Sequence, residues 1–404
     1  MRLFWQEMKK IWRPGVLAAI VLIGAMFYKL RPDFYREHFG GDYAIYQMSV
    51  EWAEKYGPTM EQSERDELDA QLAEEKETFS QLIANIPEAV EAGLTDYDSY
   101  VDFCRNDDRD HNTGIIDPYV YTEDYRQRWD FIWYIWRNTN CERIEDLERF
   151  MSSYDLAIEE PTSSWEYFLS TSTPQEQARV LELKAMDQRD YLPSPLYSAT
   201  VNYFRYLATW NIMGVILLLS PTLVRDRLRR VRSTQWSSRT GRGVLNTQIM
   251  AGLASSLLFS MISAAVYSAL FLANGVLLFK DFPIYGIYSS CWFDMTYGQY
   301  VLALVGLALL AGLITGALTL FFSNYSGNYV AMLLKAVPLL VVLWVAISNL
   351  ESCIFFFHRT YLFNGELVLY WPKGLEFVLY ALLLALGLGL CAWTCARQKK
   401  KELL

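Results

Sequence analysis

Histidine is nearly missing from this chain: 404 residues hold three, His38, His111 and His358. None has a partner at metal-ligand spacing, and no H-E-x-x-H is present, so the helix-borne zinc site of a metalloprotease is excluded. No G-x-x-x-x-G-K-[ST] occurs, which removes the backbone cradle that holds nucleotide phosphates. The strained G-x-S-x-G elbow of serine hydrolases is also lacking. The six cysteines form no CxxC and no Cys/His cluster. Cys104 with Cys141, and Cys291 with Cys353, are open disulfide pairings, which spacing alone does not decide. The chain therefore offers no residues to assign to catalysis, to a metal or to a bound cofactor.

Basic residues are scarce between positions 31 and 200, where 15 Lys+Arg face 37 Asp+Glu, a net of -22. Outside that block 21 bases face 8 acids, a net of +13. One acidic, water-facing block is inserted in a basic, apolar chain, and such asymmetry points to two solvents. The block's acidity suits a cationic peptide, and it is equally an ordinary route to solubility.

Charge of either sign is almost absent from six runs. The first, Pro14–Leu30, approaches the length needed to cross ~30 Å of hydrocarbon. It ends in Tyr28-Lys29-Leu30-Arg31 with no small-residue cleavage site, so a retained helix is expected and not a signal peptide. Five more lie near Tyr203–Val224, Asn246–Phe279, Tyr297–Phe322, Tyr329–Leu350 and Gly374–Ala396, with Tyr and Trp at many of their ends. Lys335 is the main charge inside them. About 10 Å from the start of its helix, its stem reaches the interface. An ion-coupled carrier, which keeps ionisable groups at the midplane, is disfavoured.

Six spans place both termini on one side. The head (Arg2, Lys9, Lys10, Arg13), the loop between spans two and three, and the tail (Arg397, Lys399, Lys400, Lys401) then share that side, which the positive-inside rule makes cytoplasmic. The expected fold is an all-α integral membrane protein of six transmembrane helices with a large, mainly helical extracytoplasmic domain between helices 1 and 2. Its parts are 1–30 (amphipathic helix and span one), 31–200 (acidic domain) and 201–404 (spans two to six, with a cytoplasmic loop at 225–245).

Within the acidic block, Leu68, Leu72, Phe79, Leu82, Ile83 and Ile86 recur at helical spacing. Thr173-Pro174-Gln175-Glu176 is a capping box with proline at the first helical position. Tyr119–Trp136 is dense in aromatics and reads as core before it reads as a ligand patch. Asp108, Asp110 and Asn112 imitate the start of a calcium loop, but Gly114 comes one place late and Tyr119 stands where a glutamate is needed, so a solvated acidic turn is expected.

Small residues make two helix faces. One carries Gly252, Ser256, Ser260 and Ala264; the other carries Gly312 and Gly316 in a GxxxG pattern. Such faces permit close helix approach, and packing within the bundle is expected ahead of a dimer interface.

The loop after span two interleaves Leu228, Val231 and Trp236 with Arg225, Arg227, Arg229, Arg230, Arg232, Arg239 and Arg242, against the single acid Asp226. Such a cationic amphipathic segment suits anionic lipid headgroups or an acidic groove on a protein partner. Nucleic acid is not needed to explain these arginines, since topology accounts for them.

The stretch LLLSPTLVRDRLRRVRSTQWSSRTGRGVLNTQIM resembles the permeases of type-2 ABC exporters, of the multidrug and peptide-export kind from Gram-positive bacteria. In that family a charged helix leaves span two, followed by a Ser-Ser-Lys/Arg-x-Gly-Arg-like stretch, matched here by Ser237, Ser238, Arg239, Thr240, Gly241 and Arg242. WQEMKKIW is similar to the family's amphipathic N-terminal helix. The family's coupling segment usually begins with Glu, whereas this chain has Arg225-Asp226.

The resemblance implies a coupling segment that docks on a separate ATP-binding subunit carrying ATP and Mg2+. Asp226, Arg229, Arg230, Arg232 and Trp236 through Arg242 would form the contact, and a second permease copy or a paralogue would complete the membrane pathway. The implied function is export of a peptide, drug or lipid-like substrate by a subunit with no ATPase site of its own. A membrane sensor or scaffold, whose outer domain binds a ligand and signals through a cytoplasmic partner, is the alternative expectation.

Overall fold

A computed structural model describes residues 2–57, 61–112, 123–158, 169–186, 192–229, 241–286, 291–353, 355–357, 359–362 and 367–400. The elements are α1 (Arg2–Ile11), α2 (Pro14–Leu30), α3 (Pro32–His38), α4 (Tyr43–Tyr56), α5 (Gln62–Ile83), α6 (Pro87–Glu91), α7 (Tyr97–Asn112), α8 (Glu123–Asn138), α9 (Cys141–Ile158), α10 (Pro174–Ala185), α11 (Ser194–Leu228), α12 (Val244–Leu272), α13 (Tyr297–Asn324), α14 (Tyr329–Cys353), β1 (Arg359–Leu362), β2 (Leu367–Tyr370) and α15 (Leu375–Lys400). Among the described residues the only named strands are β1 and β2, an antiparallel pair with Arg359 opposite Tyr370. They fall between the fifth and sixth apolar runs, where hydropathy predicts a loop.

Five helices, α11 to α15, are long and apolar enough to cross a membrane; a sixth is added if α1 and α2, bent by 49°, form one span. The chain is thus a mostly helical membrane protein. The bend has a local cause. Pro14 opens α2, and the residue before proline avoids the helical region, so Arg13 is extended at φ -82 and ψ 140.

The chain divides into two units, one of Ala44–Thr162 with Arg189–Tyr191, the other of all remaining residues. The acidic unit is narrower than the 31–200 expected from charge. Its flanks join the membrane helices for physical reasons: α3 packs on α2 and α11, and Arg179 of α10 is nearly buried, donating to the Cys291 carbonyl at 3.0 Å and pairing with Asp294. The capping box at Thr173 forms as the sequence predicts, with the Thr173 amide donating to Glu176 at 2.8 Å.

The acidic unit has two cores. Phe79, Ile83, Tyr97, Tyr100, Ile135 and Ile144 close one; Ile45, Met48, Leu68, Leu147 and Phe150 close the other. The aromatic run is split between core and surface. Ile135 is buried and Trp136 packs on the first core, while Trp129, Trp133 and Tyr134 are exposed. Residues 119–122 lie outside the described residues. Asp108, Asp110 and Asn112, expected in a turn, continue α7 as a helix. Cys104, Cys141 and Cys291 form no disulfide; the Cys353 side chain lies outside the described residues.

In the other unit α11 is central. Its most apolar window is 72% buried, against 22% for α14 and α15. It packs along α13 and also touches α2, α12 and α14. It begins at Ser194, earlier than the hydropathy run, because Leu196, Ala199 and Thr200 are buried at its start. One end of the bundle gathers α1, the end of α11, the start of α12, the end of α13 and the end of α15. At the other end Thr200 and Tyr297 share a 2.8 Å hydrogen bond and the Asn274 side chain donates to the Arg36 carbonyl at 2.7 Å.

Candidate functional site

α1 has an apolar and a polar face. Met8 and Ile11 are buried and Trp5 is exposed. The helix lies against α12, and the Trp12 indole donates to Ser255 Oγ at 3.1 Å. At this contact lies a knot of charged and polar groups. The Gln248 side-chain amide donates to Asp226 Oδ2 at 2.8 Å and sits 3.4 Å from Glu7 Oε2. Lys10 pairs with Glu7 at 2.6 Å and stands 3.9 Å from Asp226. Arg225 donates to the Lys10 carbonyl at 3.1 Å. Glu7, Arg225, Asp226 and Gln248 are all buried, and each has a partner, as buried polar groups require.

The neighbouring helix ends are tied in the same way. Arg227 donates to the Ser326 carbonyl at 2.9 Å and also to the Asn324 carbonyl. Gln398 of α15 donates to Asn324 Oδ1 at 3.1 Å. Lys335 reaches back past the start of its helix to the Tyr325 carbonyl at 3.0 Å and Ser326 Oγ at 3.3 Å. Five of the apolar helices and α1 therefore meet in one polar layer at the basic end of the bundle.

The predicted coupling residues divide into three groups. Asp226 is buried in the knot, turned to Gln248 and Lys10, and is not a surface docking residue in this arrangement. Arg229 is exposed just beyond α11, and Gly241 opens a helical turn at φ 50 ahead of α12. Arg230, Arg232, Trp236, Ser237, Ser238, Arg239 and Thr240 lie outside the described residues, as does the Arg242 side chain.

The small-residue faces meet each other. A Cβ on Gly252 would come within 2.7 Å of Leu320; on Gly312 or Gly316 it would collide with Ser260 or Ser256. Ser256 and Ser260 are fully buried. The two stripes thus form one interface inside the bundle, between α12 and α13.

Sequence reading missed Glu7, Gln248, Asn324 and Gln398, whose partners lie 241 positions away in one case and 74 in another. It also missed Asn211, fully buried on α11, which donates to the Ala308 carbonyl at 2.9 Å. A lone asparagine in an apolar run was the available signal. Among the described residues no group of three or more His, Cys, Asp and Glu is placed to hold a metal ion.

No protein-family model matches the chain, and no curated protein or solved structure is significantly similar to it.

Proposed function

We propose that the chain is the membrane-spanning permease subunit of an ABC exporter, moving a peptide, drug or lipid-like substrate outward with ATP hydrolysed on a separate subunit. The observation that carries this reading is the polar knot. The arginine-rich segment links α11 to α12, and Asp226 and Gln248, at its two bases, are joined to each other and to α1. A partner bound to that segment would pull on three helices at once, with Arg229, Arg239 and Arg242 meeting an acidic groove and Asp226 keeping the segment's base in place. Two copies, or one copy and a paralogue, would line the pathway, and lipid would cover the exposed apolar face of α14.

The proposed topology has the basic end and both termini in the cytoplasm and residues 31–200 outside. It is supported by Arg36 and Thr200, which flank the acidic unit in sequence and are bonded at the end away from the knot.

Expression with the adjacent genes, pull-down in mild detergent and an ATPase assay test the proposal. An ATPase is expected to co-purify, and the Arg239→Glu, Arg242→Glu double variant to lose it. Recovery of the chain with no ATPase activity would overturn the permease reading and leave the sensor or scaffold as the working function.

A further inference from the structure

We propose that the groove between α4, α5 and α9 in the acidic unit is a binding site for a basic peptide segment, taking an ammonium or guanidinium side chain beside an apolar one. The proposal rests on this groove alone and does not depend on the transport reading. The groove has a volume of about 140 Å³ and opens to solvent, which suits the end of a side chain and not a whole drug-sized ligand. Its floor is apolar, made by buried Met48, Leu68 and Phe150. Its lining carries two carboxylates, Glu51 and Glu67, and also Arg143, whose guanidinium stands 3.7 Å from Glu75.

The site already holds an ammonium. Lys55 Nζ lies 4.8 Å from the Tyr56 ring centroid, 5.8 Å from that of Trp52 and 2.5 Å from Glu67 Oε1. Two aromatic faces and a carboxylate are the chemistry that recognises an organic cation. Lys55 is half exposed on a flexible stem, so an incoming cation can displace it without disturbing the fold. The geometry is held from behind: Trp52 packs on Tyr56 at 4.9 Å and edge-on to Phe150 at 6.0 Å.

Two further observations agree. The Trp52 indole N–H is buried with no acceptor, and a ligand carbonyl would supply one. Positions 44–162 hold 29 acids against 10 bases, a net of -19, a field that concentrates cations at the groove. Lys55 is then an internal competitor that sets the threshold for binding.

The test uses the full chain in phosphatidylcholine nanodiscs without ATP. Fluorescence anisotropy follows a neutral-dye-labelled pentapeptide, Gly-Lys-Leu-Lys-Gly, with Gly-Glu-Leu-Glu-Gly as control. The basic peptide is expected to bind at least about tenfold more tightly. Glu67→Gln is expected to weaken it about fivefold, and Lys55→Met to strengthen it several-fold, because the resident cation is gone. Trp52→Phe, which keeps an aromatic face and removes the donor, is expected to weaken binding and retain the helical circular dichroism. Unchanged or weaker binding by Lys55→Met would overturn the proposal. So would an equal loss on Glu91→Gln, an exposed acid on α6 outside the groove, since that would mean capture by general acidity.

Discussion

The carboxylate of Asp226 and the side-chain amide of Gln248 are joined by a 2.8 Å hydrogen bond that closes the base of the arginine-rich segment. The two residues belong to different helices, 22 positions apart, and both are buried. Replacing Gln248 with Leu removes the donor and leaves two carboxylates, Asp226 and Glu7, short of a partner. A loss of about 1–3 kcal/mol is expected. Thermal unfolding in detergent, followed by intrinsic fluorescence, should show the lower midpoint. Gln248→Glu should be worse still, since it adds a third carboxylate.

The glycines of α13 are not equivalent. Gly312 and Gly316 face serine side chains with no room for a Cβ, whereas Gly306 has open space. Gly312→Val or Gly316→Val should therefore cost about 1–3 kcal/mol through overpacking. Gly306→Ala should be neutral or stabilise by about 0.5–1 kcal/mol, as expected for glycine in a helix interior. Comparing the midpoints of the three variants checks the register of the α12–α13 contact.

Arg179 holds α10 to the segment before α13. It is nearly buried, it donates to the Cys291 carbonyl, and it meets Glu182 at 2.9 Å as well as Asp294. Burial works against its charge, but these partners outweigh it and hold the guanidinium above its ordinary range. Arg179→Leu keeps much of the volume and removes the donors. A local loss of about 1–3 kcal/mol is expected. Hydrogen exchange should rise in α10 and around 291–294, with little change in the centre of α11.

Asp33 gives the acid limb of stability a residue. It is buried at the start of α3. Burial works against its charged form, but hydrogen bonds from Lys29 and Arg36 prevail and hold the carboxyl below the usual carboxylate range. A depressed carboxylate contributes its full stability above the unfolded value, near pH ~3.9, and loses it as pH falls through the lower folded value. Denaturation midpoints should fall below about pH 4 in the native chain. In Asp33→Asn stability should already be lower at neutral pH, by about 1–2 kcal/mol, and part of the acid fall should disappear.

The sequence alone determined the membrane character and the positions of the five long apolar helices, because hydropathy is a property of local composition. Pro14, the Thr173 capping box and the GxxxG of Gly312 and Gly316 were legible for the same reason: their effects act within a turn or along one helix face. The partner of each was not. Only the tertiary structure decided that Gly316 meets Ser256, that Asp226 turns inward to Gln248, and that residues 31–43 and 169–186 belong with the membrane helices. It also decided that Lys55 occupies an aromatic groove with Glu67. These are pairings between distant segments, and many pairings satisfy the same pattern of apolar and polar positions. Packing selects among them through volume, as at the glycines, and through the requirement that every buried charge find a partner, as in the knot of Glu7, Lys10, Asp226 and Gln248.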